Sequence, residues 1–247
     1  MPPVDATTMF PVLDDRRHMG PSLGTVVVTG ASSGLGAAIA QAVADAGGMP
    51  VGLDLNPPAR DLDHELVDLS DASAAVAAVE RVAERHGGID AVVTAAGTDA
   101  CGKLDEVRWE AWERVIAVNL LGTAAVVRAA LPALRESRGR VVTVASTLGL
   151  RALSDATAYC ASKFGIVGFT RALAAEMAGE VGVTMLVPGG MQTAFFDGRP
   201  DRYKPGPDAK LSPPEDVAQA VLAALRMPAG VEVREMVVCA STETSWP

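Results

Sequence analysis

The chain is short of several things that would each mark a function class. Only three of its 247 residues are cysteine: Cys101, Cys160 and Cys239. They are far apart and odd in number, which excludes a disulfide framework and a paired-cysteine metal site. Each is expected to be a small buried apolar residue in a reducing cytoplasm. Aromatic residues make up 4 %, too few for the stacking platforms of RNA readers. Basic residues number 21 against 30 acidic ones, a net charge of −9, so the footprint of a nucleic-acid binder is missing. His18, His64 and His86 share no metal-ligand spacing, and no metal is expected. No uninterrupted apolar run approaches the ~20 residues of a membrane span. Residues 1–22 lack the apolar middle of a signal peptide and hold four prolines. They are expected to form a poorly ordered extension, with Met19 a possible second start.

Apolar residues are plentiful, at 49 %, and 24 glycines lie among them. From Leu23 onward, strand-like and helix-like runs alternate. Thr25–Thr29, Val51–Asp54, Ile89–Thr94, Arg140–Ala145, Val181–Val187 and Met236–Ala240 read as strands. Helices are expected over Gly34–Ala46, Asp71–His86, Trp109–Ser137 and Ala158–Ala178. Pro132 would kink the third of these near its end. Another helix should open at Ser212-Pro213-Pro214-Glu215, with Ser as N-cap and Pro at the first position. The strands are apolar on both faces, the pattern of parallel strands covered by helices on each side. The expected fold is one doubly wound α/β domain of the Rossmann type, over residues 23–247. Its parallel sheet would have about seven strands, and ligands would bind beyond the strands' C-terminal ends.

The first strand runs into Thr29-Gly30-Ala31-Ser32-Ser33-Gly34-Leu35-Gly36. Gly30 permits a sharp turn off the strand. Gly34 and Gly36 let a pyrophosphate and the sheet approach the following helix, whose free N–H groups face the anion. No Lys-Ser or Lys-Thr follows, which disfavours a nucleotide triphosphate loop. Asp54 ends the second strand. A carboxylate there accepts hydrogen bonds from ribose 2′- and 3′-hydroxyls and repels a 2′-phosphate. No Arg or Lys lies nearer than Arg60, so NAD is expected over NADP; the plainer alternative is that Asp54 begins a surface turn. Asp68, beside Leu69, either reaches the adenine amino group or caps the helix that follows.

Tyr159 and Lys163 stand at i and i+4, one face of a helix. A lysine ammonium, with the positive nicotinamide ring, would lower the phenol's pKa. Tyr159 could then exchange a proton with a substrate oxygen. Ser146 follows a strand and would reach the same oxygen at the sheet's edge.

These residues together resemble the short-chain dehydrogenase/reductases, in their compact branch, over roughly Gly24 to Cys239. The glycine turn, Asn119 in Val118-Asn119-Leu120-Leu121-Gly122, Ser146, Tyr159 with Lys163, and Pro188-Gly189-Gly190-Met191-Gln192-Thr193 match that family's motifs in order. The resemblance implies that Tyr159 is the acid/base, that Ser146 polarises the substrate oxygen, and that Lys163 lowers the tyrosine pKa and holds the nicotinamide ribose. It implies that Asn119 supports a water relaying protons through Lys163. It places Ala96, Gly97, Pro188, Gly189 and Thr193, with the glycine turn and Leu69, against the cofactor. One departure stands out. The family's Asn-Asn-Ala-Gly is here Thr94-Ala95-Ala96-Gly97. The missing asparagines mainly brace the sheet, so the expected effect falls on stability.

Residues 190–211 are the expected substrate lid. Three of the ten aromatics (Phe195, Phe196, Tyr203) lie there, as an apolar closing surface or as loop anchors. Arg199, Arg202, Lys204 and Lys210 could steer an anionic substrate, but Asp197, Asp201 and Asp208 balance them. The C-terminal part looks like the branch of 3-hydroxy acid and serine dehydrogenases. Those usually prefer NADP, and the residue-level argument from Asp54 is preferred here. The expected activity is an NAD-dependent interconversion of a secondary alcohol, including hydroxy acids or hydroxyacyl compounds, and a ketone. The alternatives are a catalytically silent dinucleotide-binding regulator or scaffold, and a methyltransferase of the same general fold. The expected partners are a small-molecule substrate and further copies of the chain, as a tetramer or dimer.

Overall fold

The computed structural model describes residues 23–228 and 230–243; the expected N-terminal extension lies outside the described residues. Seven parallel strands form one sheet: β1 (Thr25–Thr29), β2 (Met49–Asp54), β3 (His64–Leu66), β4 (Ala91–Thr94), β5 (Arg140–Val144), β6 (Gly182–Pro188) and β7 (Glu235–Val238). Their order is β3-β2-β1-β4-β5-β6-β7. The helices are α1 (Gly34–Asp45), α2 (Ala72–His86), α3 (Trp109–Ile116), α4 (Thr123–Ser137), α5 (Thr157–Glu176) and α6 (Pro214–Leu225).

Val26, Val27 and Val28 of β1 are completely buried. Because side chains alternate across a strand, Val27 meets one core, which includes Val79 and Val82 of α2 and Val126 and Leu134 of α4. Val26 and Val28 meet the other, which holds Ile39 and Val43 of α1 and Val217 and Val221 of α6. Each such side chain contributes about 1.5–3 kcal/mol by leaving water. A parallel sheet needs this cover on both faces. β3 reads only His-Glu-Leu and is carried by its pairing with β2.

Two local expectations need correction. The stretch 109–137 is not one α-helix kinked at Pro132. It is interrupted at Ala117–Gly122 by a π-helical turn, and α4 runs through Pro132. One extra residue per turn there swings Asn119 to the buried side. This stretch is long and apolar enough to cross a membrane by length and composition alone, yet Val115, Val126, Val127, Ala130 and Leu134 bury one face of it in the protein. The second correction concerns α6. Ser212 does not cap it; Pro213 stands at the N-cap and Pro214 in the first turn. Ser212 instead gives its N–H to the Gly190 carbonyl at 3.0 Å, which ties the start of α6 to the loop after β6.

The departure at Thr94 has a structural trace. Its hydroxyl is buried and has no hydrogen-bond partner among the described residues. The loop after β4 is held instead by Ala96 N–H donating to Thr29 Oγ1 at 2.9 Å. An unpaired buried hydroxyl is costly, so Thr94→Val should raise stability by about 1 kcal/mol, or roughly 2–4 °C in Tm. A fall in Tm in a thermal melt would show that Thr94 has a partner in solution.

Candidate active site

The loops after β1, β2, β4, β5 and β6 surround a cavity of about 840 Å3 at the C-terminal edge of the sheet. Strand order reverses at β1, so the chain leaves β1 and β4 in opposite directions and a crevice opens between them. Gly30, Ser32, Ser33, Gly34, Leu35, Gly36, Asp54, Asp68, Leu69, Ala96, Gly97, Ser146, Tyr159, Lys163, Pro188, Gly189 and Thr193 all border it. Asn119 does not; it lies behind the wall.

At one end the glycine turn brings α1 onto β1. Gly30 has φ 72°, and its N–H donates to the Leu53 carbonyl at 2.9 Å. A Cβ on Gly36 would sit 2.1 Å from the Gly30 carbonyl oxygen, so no other residue fits. Helix α1 begins at Gly34 with Ser33 at its N-cap, and the Ser33 side chain makes no capping bond. The helix therefore presents its N-terminal N–H groups to the cavity, the arrangement that receives a pyrophosphate. Thr193, after β6, packs against Gly34 from the opposite wall.

Asp54 ends β2 as expected. Its Oδ2 accepts the Ser32 N–H at 2.9 Å and its Oδ1 the Asn56 N–H at 3.0 Å. The carboxylate is thus fixed to both the glycine turn and the turn after β2. Asp68 is not the cap of α2; that position belongs to Asp71, whose carboxylate accepts from Ser73 and Ala74. Asp68 accepts from the Ser70 amide and hydroxyl, which hold its pKa below the ordinary carboxylate range, and Arg114 adds to this at 3.2 Å. Arg114, which borders the cavity, is therefore already paired. Arg60 points away and binds Gln41.

At the other end, Tyr159 and Lys163 project from the same face of α5. Lys163 is 5 % exposed, and its Nζ donates to the Val144 carbonyl at 2.8 Å. It stands 5.6 Å from the centre of the Tyr159 ring. Ser146 caps a short 3-10 turn by accepting the Leu148 N–H at 3.1 Å. Ser146 also makes a hydrogen bond with the Tyr159 phenol, and this bond draws the phenol's pKa down. Burial is stronger and pushes it up to about 12. The expected lowering by Lys163 is not found in the protein alone. Burial also pushes Lys163 down to about 8, which weakens the charge that was to act on the tyrosine. The other positive charge in that expectation belongs to the cofactor.

Asn119 is 1 % exposed. Its side chain accepts the Thr98 N–H at 2.8 Å and donates to the Thr98 carbonyl at 2.9 Å and to Ser162 Oγ at 3.0 Å. It clamps the loop after β4 to α5. A Cβ on Gly97 would come within 3.6 Å of Asn119 Oδ1 and 3.8 Å of Lys163 Nζ, so all three meet at one point of the wall. Asn119 is thus a positioning residue.

The sequence reading missed a polar group beyond Tyr159. Asp99 receives Arg199 Nη2 at 2.6 Å and the Cys101 thiol at 3.0 Å. Cys101 is therefore not a buried apolar residue; burial and Asp99 push its thiol up to about 12, which leaves it neutral. Arg199 lies 4.8 and 4.7 Å from the ring centres of Phe195 and Phe196, and Phe195 packs on Tyr159. Tyr203 is an anchor: its hydroxyl donates to Asp155 at 3.1 Å. Glu243, near the end of the described chain, accepts the Gly190 N–H at 3.0 Å. Asp99 and Arg199 are 100 residues apart, and no local pattern joins them. The left-handed backbone of Asp155, φ 62°, has no marker in sequence either.

The family model for short chain dehydrogenase matches residues 24–204. The D-threitol dehydrogenase of Mycolicibacterium smegmatis is 35 % identical over 216 residues, covering 79 % of this chain and 83 % of its own. The D-beta-hydroxybutyrate dehydrogenase of Rhizobium meliloti is 34 % identical over 190 residues, covering 70 % and 73 %. The crystal structure of an alcohol dehydrogenase from Thermococcus sibiricus, complexed with 5-hydroxy-NADP, superposes with a TM-score of 0.76 at 27 % identity, covering 87 % of this chain and 95 % of that one.

The lysine provides a test that needs no substrate. Its folded pKa, about 8, lies below the 10.5 of a free side chain. Between those values the unfolded chain holds more protons, so this group adds stability as pH rises. Compared with Lys163→Met, the parent protein should gain Tm between pH 7.5 and pH 9.5. Equal slopes would show that Lys163 is solvated.

Proposed function

The chain belongs to the short-chain dehydrogenase family, oxidoreductases that act on an alcohol or ketone with a nicotinamide dinucleotide, and within it we propose an NAD-dependent dehydrogenase of a secondary alcohol with Tyr159 as acid/base. One observation carries the proposal: Ser146, Tyr159 and Lys163 converge at the cavity end opposite the glycine turn, with Ser146 in a hydrogen bond with the phenol.

The cavity fits the cofactor. The close packing of Gly36 on the Gly30 carbonyl seats the start of α1 against β1, and the N-terminus of α1 with Gly30 and Gly34 would hold the pyrophosphate. Asp54 would take the adenosine ribose hydroxyls. Tyr159 and Lys163 would hold the nicotinamide ribose, and Thr193 would meet the carboxamide. When bound, the nicotinamide supplies the two-electron acceptor or donor. The chain's own residues handle the proton. In the direction of reduction, Tyr159 gives its hydroxyl proton to the substrate carbonyl oxygen, and Ser146 donates a hydrogen bond to the same oxygen as charge grows on it. In the direction of oxidation, the phenolate takes the alcohol's proton. A pKa pushed to about 12 leaves the phenol protonated, the form that reduction needs; oxidation calls for added positive charge beside it.

Asp54 supports NAD. A 2′-phosphate would be brought against a carboxylate that the Ser32 and Asn56 amides hold in place. Arg114, the cation nearby, is bound to Asp68.

Tyr159→Phe should lower kcat by about 10²–10⁴, the usual share of a general acid, and leave the Kd for NAD within about twofold. Appreciable remaining turnover would remove Tyr159 from the acid/base role. Asp54→Ala should lower the preference for NAD over NADP by about tenfold, the worth of a charge-assisted hydrogen bond. A parent protein that binds NADP more tightly in calorimetry would overturn the cofactor assignment.

A further inference from the structure

The polar group beyond Tyr159 bears on which alcohol the site accepts, and the inference rests on the dehydrogenase reading above. The three lid cations that border the cavity all face a carboxylate already. Arg199 pairs with Asp99, Arg202 with Glu106 at 3.7 Å, and Lys204 with Asp201 at 2.9 Å. The Asp99–Arg199 pair is the enclosed one, with side-chain exposures of 7 % and 18 %. Asp155 adds a further negative charge, and the Cys101 thiol adds none. The other two pairs are exposed and screened by water, so a substrate carboxylate at the enclosed end would meet one cation, already neutralised by Asp99, together with the charge of Asp155.

The same group has unused hydrogen-bonding capacity of another kind. Arg199 Nε is buried and has no partner among the described residues. Its direction is fixed by the Asp99 bond, by the two phenylalanine rings and by a weak contact from Nη1 to the Tyr203 carbonyl at 3.5 Å. Asp155 accepts from Tyr203 at 3.1 Å and from Ser154 at 3.2 Å. A carboxylate has about four acceptor positions, so capacity remains. Asp155 sits four residues before Tyr159, and its backbone is in the left-handed region, where a non-glycine residue signals a local constraint. Asp155, which borders the cavity, thus offers an open acceptor position, whereas Arg199 Nε is closed off from solvent and beyond a substrate's reach. A hydroxyl group both donates and accepts, and it carries no charge.

We infer that the substrate is an uncharged vicinal diol or polyol, or the matching hydroxyketone, with Asp155 accepting from the hydroxyl next to the reacting carbon. The reaction is the one already described. The carbinol carbon gives up two electrons with its hydrogen to the bound nicotinamide, the hydroxyl proton goes to Tyr159, and a carbonyl forms; the second hydroxyl is held and unchanged.

A four-carbon set isolates the effect: 2,3-butanediol, 2-butanol and 3-hydroxybutyrate, each assayed with NAD and with NADP. A site that pairs a substrate hydroxyl rejects the analogue lacking it. The expected kcat/KM for the diol exceeds that for 2-butanol, and that for 3-hydroxybutyrate, by about tenfold or more. Asp155→Asn tolerates the same backbone and removes the charge. It should lower the diol-to-2-butanol ratio by about fivefold and raise 3-hydroxybutyrate relative to 2-butanol, a change of preference that a merely structural role would not produce. Thermal shifts of the Tyr159→Phe variant with each compound give a readout without turnover, and the diol should stabilise it most. Equal use of diol and 2-butanol, or a preference for 3-hydroxybutyrate, overturns this inference and leaves the dehydrogenase reading standing. Failure of all three compounds with both cofactors overturns this inference as well, and the absence of a thermal shift with either NAD or NADP overturns the dehydrogenase reading.

Discussion

The reversal of strand order at β1 is the constraint on which the rest of the site depends. β2 and β3 lie to one side of β1, and β4 to β7 to the other. Loops that leave neighbouring parallel strands in opposite directions cannot cover the space between them. The space persists only because the sheet is rigid, and the sheet is rigid because both faces are filled with small branched side chains. Few aromatics are needed for this. Valines and alanines let helices lie close, and the closest approach is where Gly36 meets the Gly30 carbonyl. A larger residue there would lift α1 and turn its N–H groups away from the cavity.

The opposite end depends on burial. Lys163 and Tyr159 are held where solvent is a poor competitor, and each is pushed toward its neutral form. The chain alone holds a reluctant lysine cation and a stubborn phenol. Such a site is sensitive to any charge brought into it, because a field in a poorly screened place acts strongly. The clamp made by Asn119 matters here. By fixing the loop after β4 to α5, it keeps Gly97 and the Lys163 ammonium in contact with the same wall. The π-helical turn that brings Asn119 inward interrupts the helix that simple periodicity would draw.

Much of this was legible in the sequence because it is local. The glycine turn, Asp54 at a strand end, and the Tyr159 and Lys163 spacing are each set by a few consecutive residues and a known period. What was not legible has two physical origins. Some features depend on competition between partners close in sequence. Asp71 displaced Asp68 as the cap of α2 because its carboxylate reaches the Ser73 and Ala74 amides. Pro213 took the N-cap of α6 from its neighbour Ser212. Others depend on contacts made only by the folded chain. Cys101 looked like a core residue until Asp99 and Arg199 were brought beside it, and the Glu243 contact with Gly190 joins segments 53 residues apart.

That division has a consequence for reading relatives. The cofactor end is written in short motifs, so a family likeness over residues 24–204 carries directly onto it. The substrate end is built from Asp99, Asp155 and the lid, whose partners are distant in sequence. Relatives of similar identity are named for a polyol and for a hydroxy acid, so overall identity does not choose between these substrates. Local charge bears on that choice. The lid's own acidic residues were expected to neutralise its cations, and only Lys204 follows that rule, through Asp201. Arg199 and Arg202 reach out of the lid to Asp99 and Glu106. These two arginines, which looked suited to holding an anion, instead tie the lid to the body of the protein. Breaking an enclosed pair such as Arg199 with Asp99 costs about 3–5 kcal/mol. A carboxylate substrate would have to meet that cost to recruit Arg199, whereas a hydroxyl can donate to Asp155 and leave the pair intact.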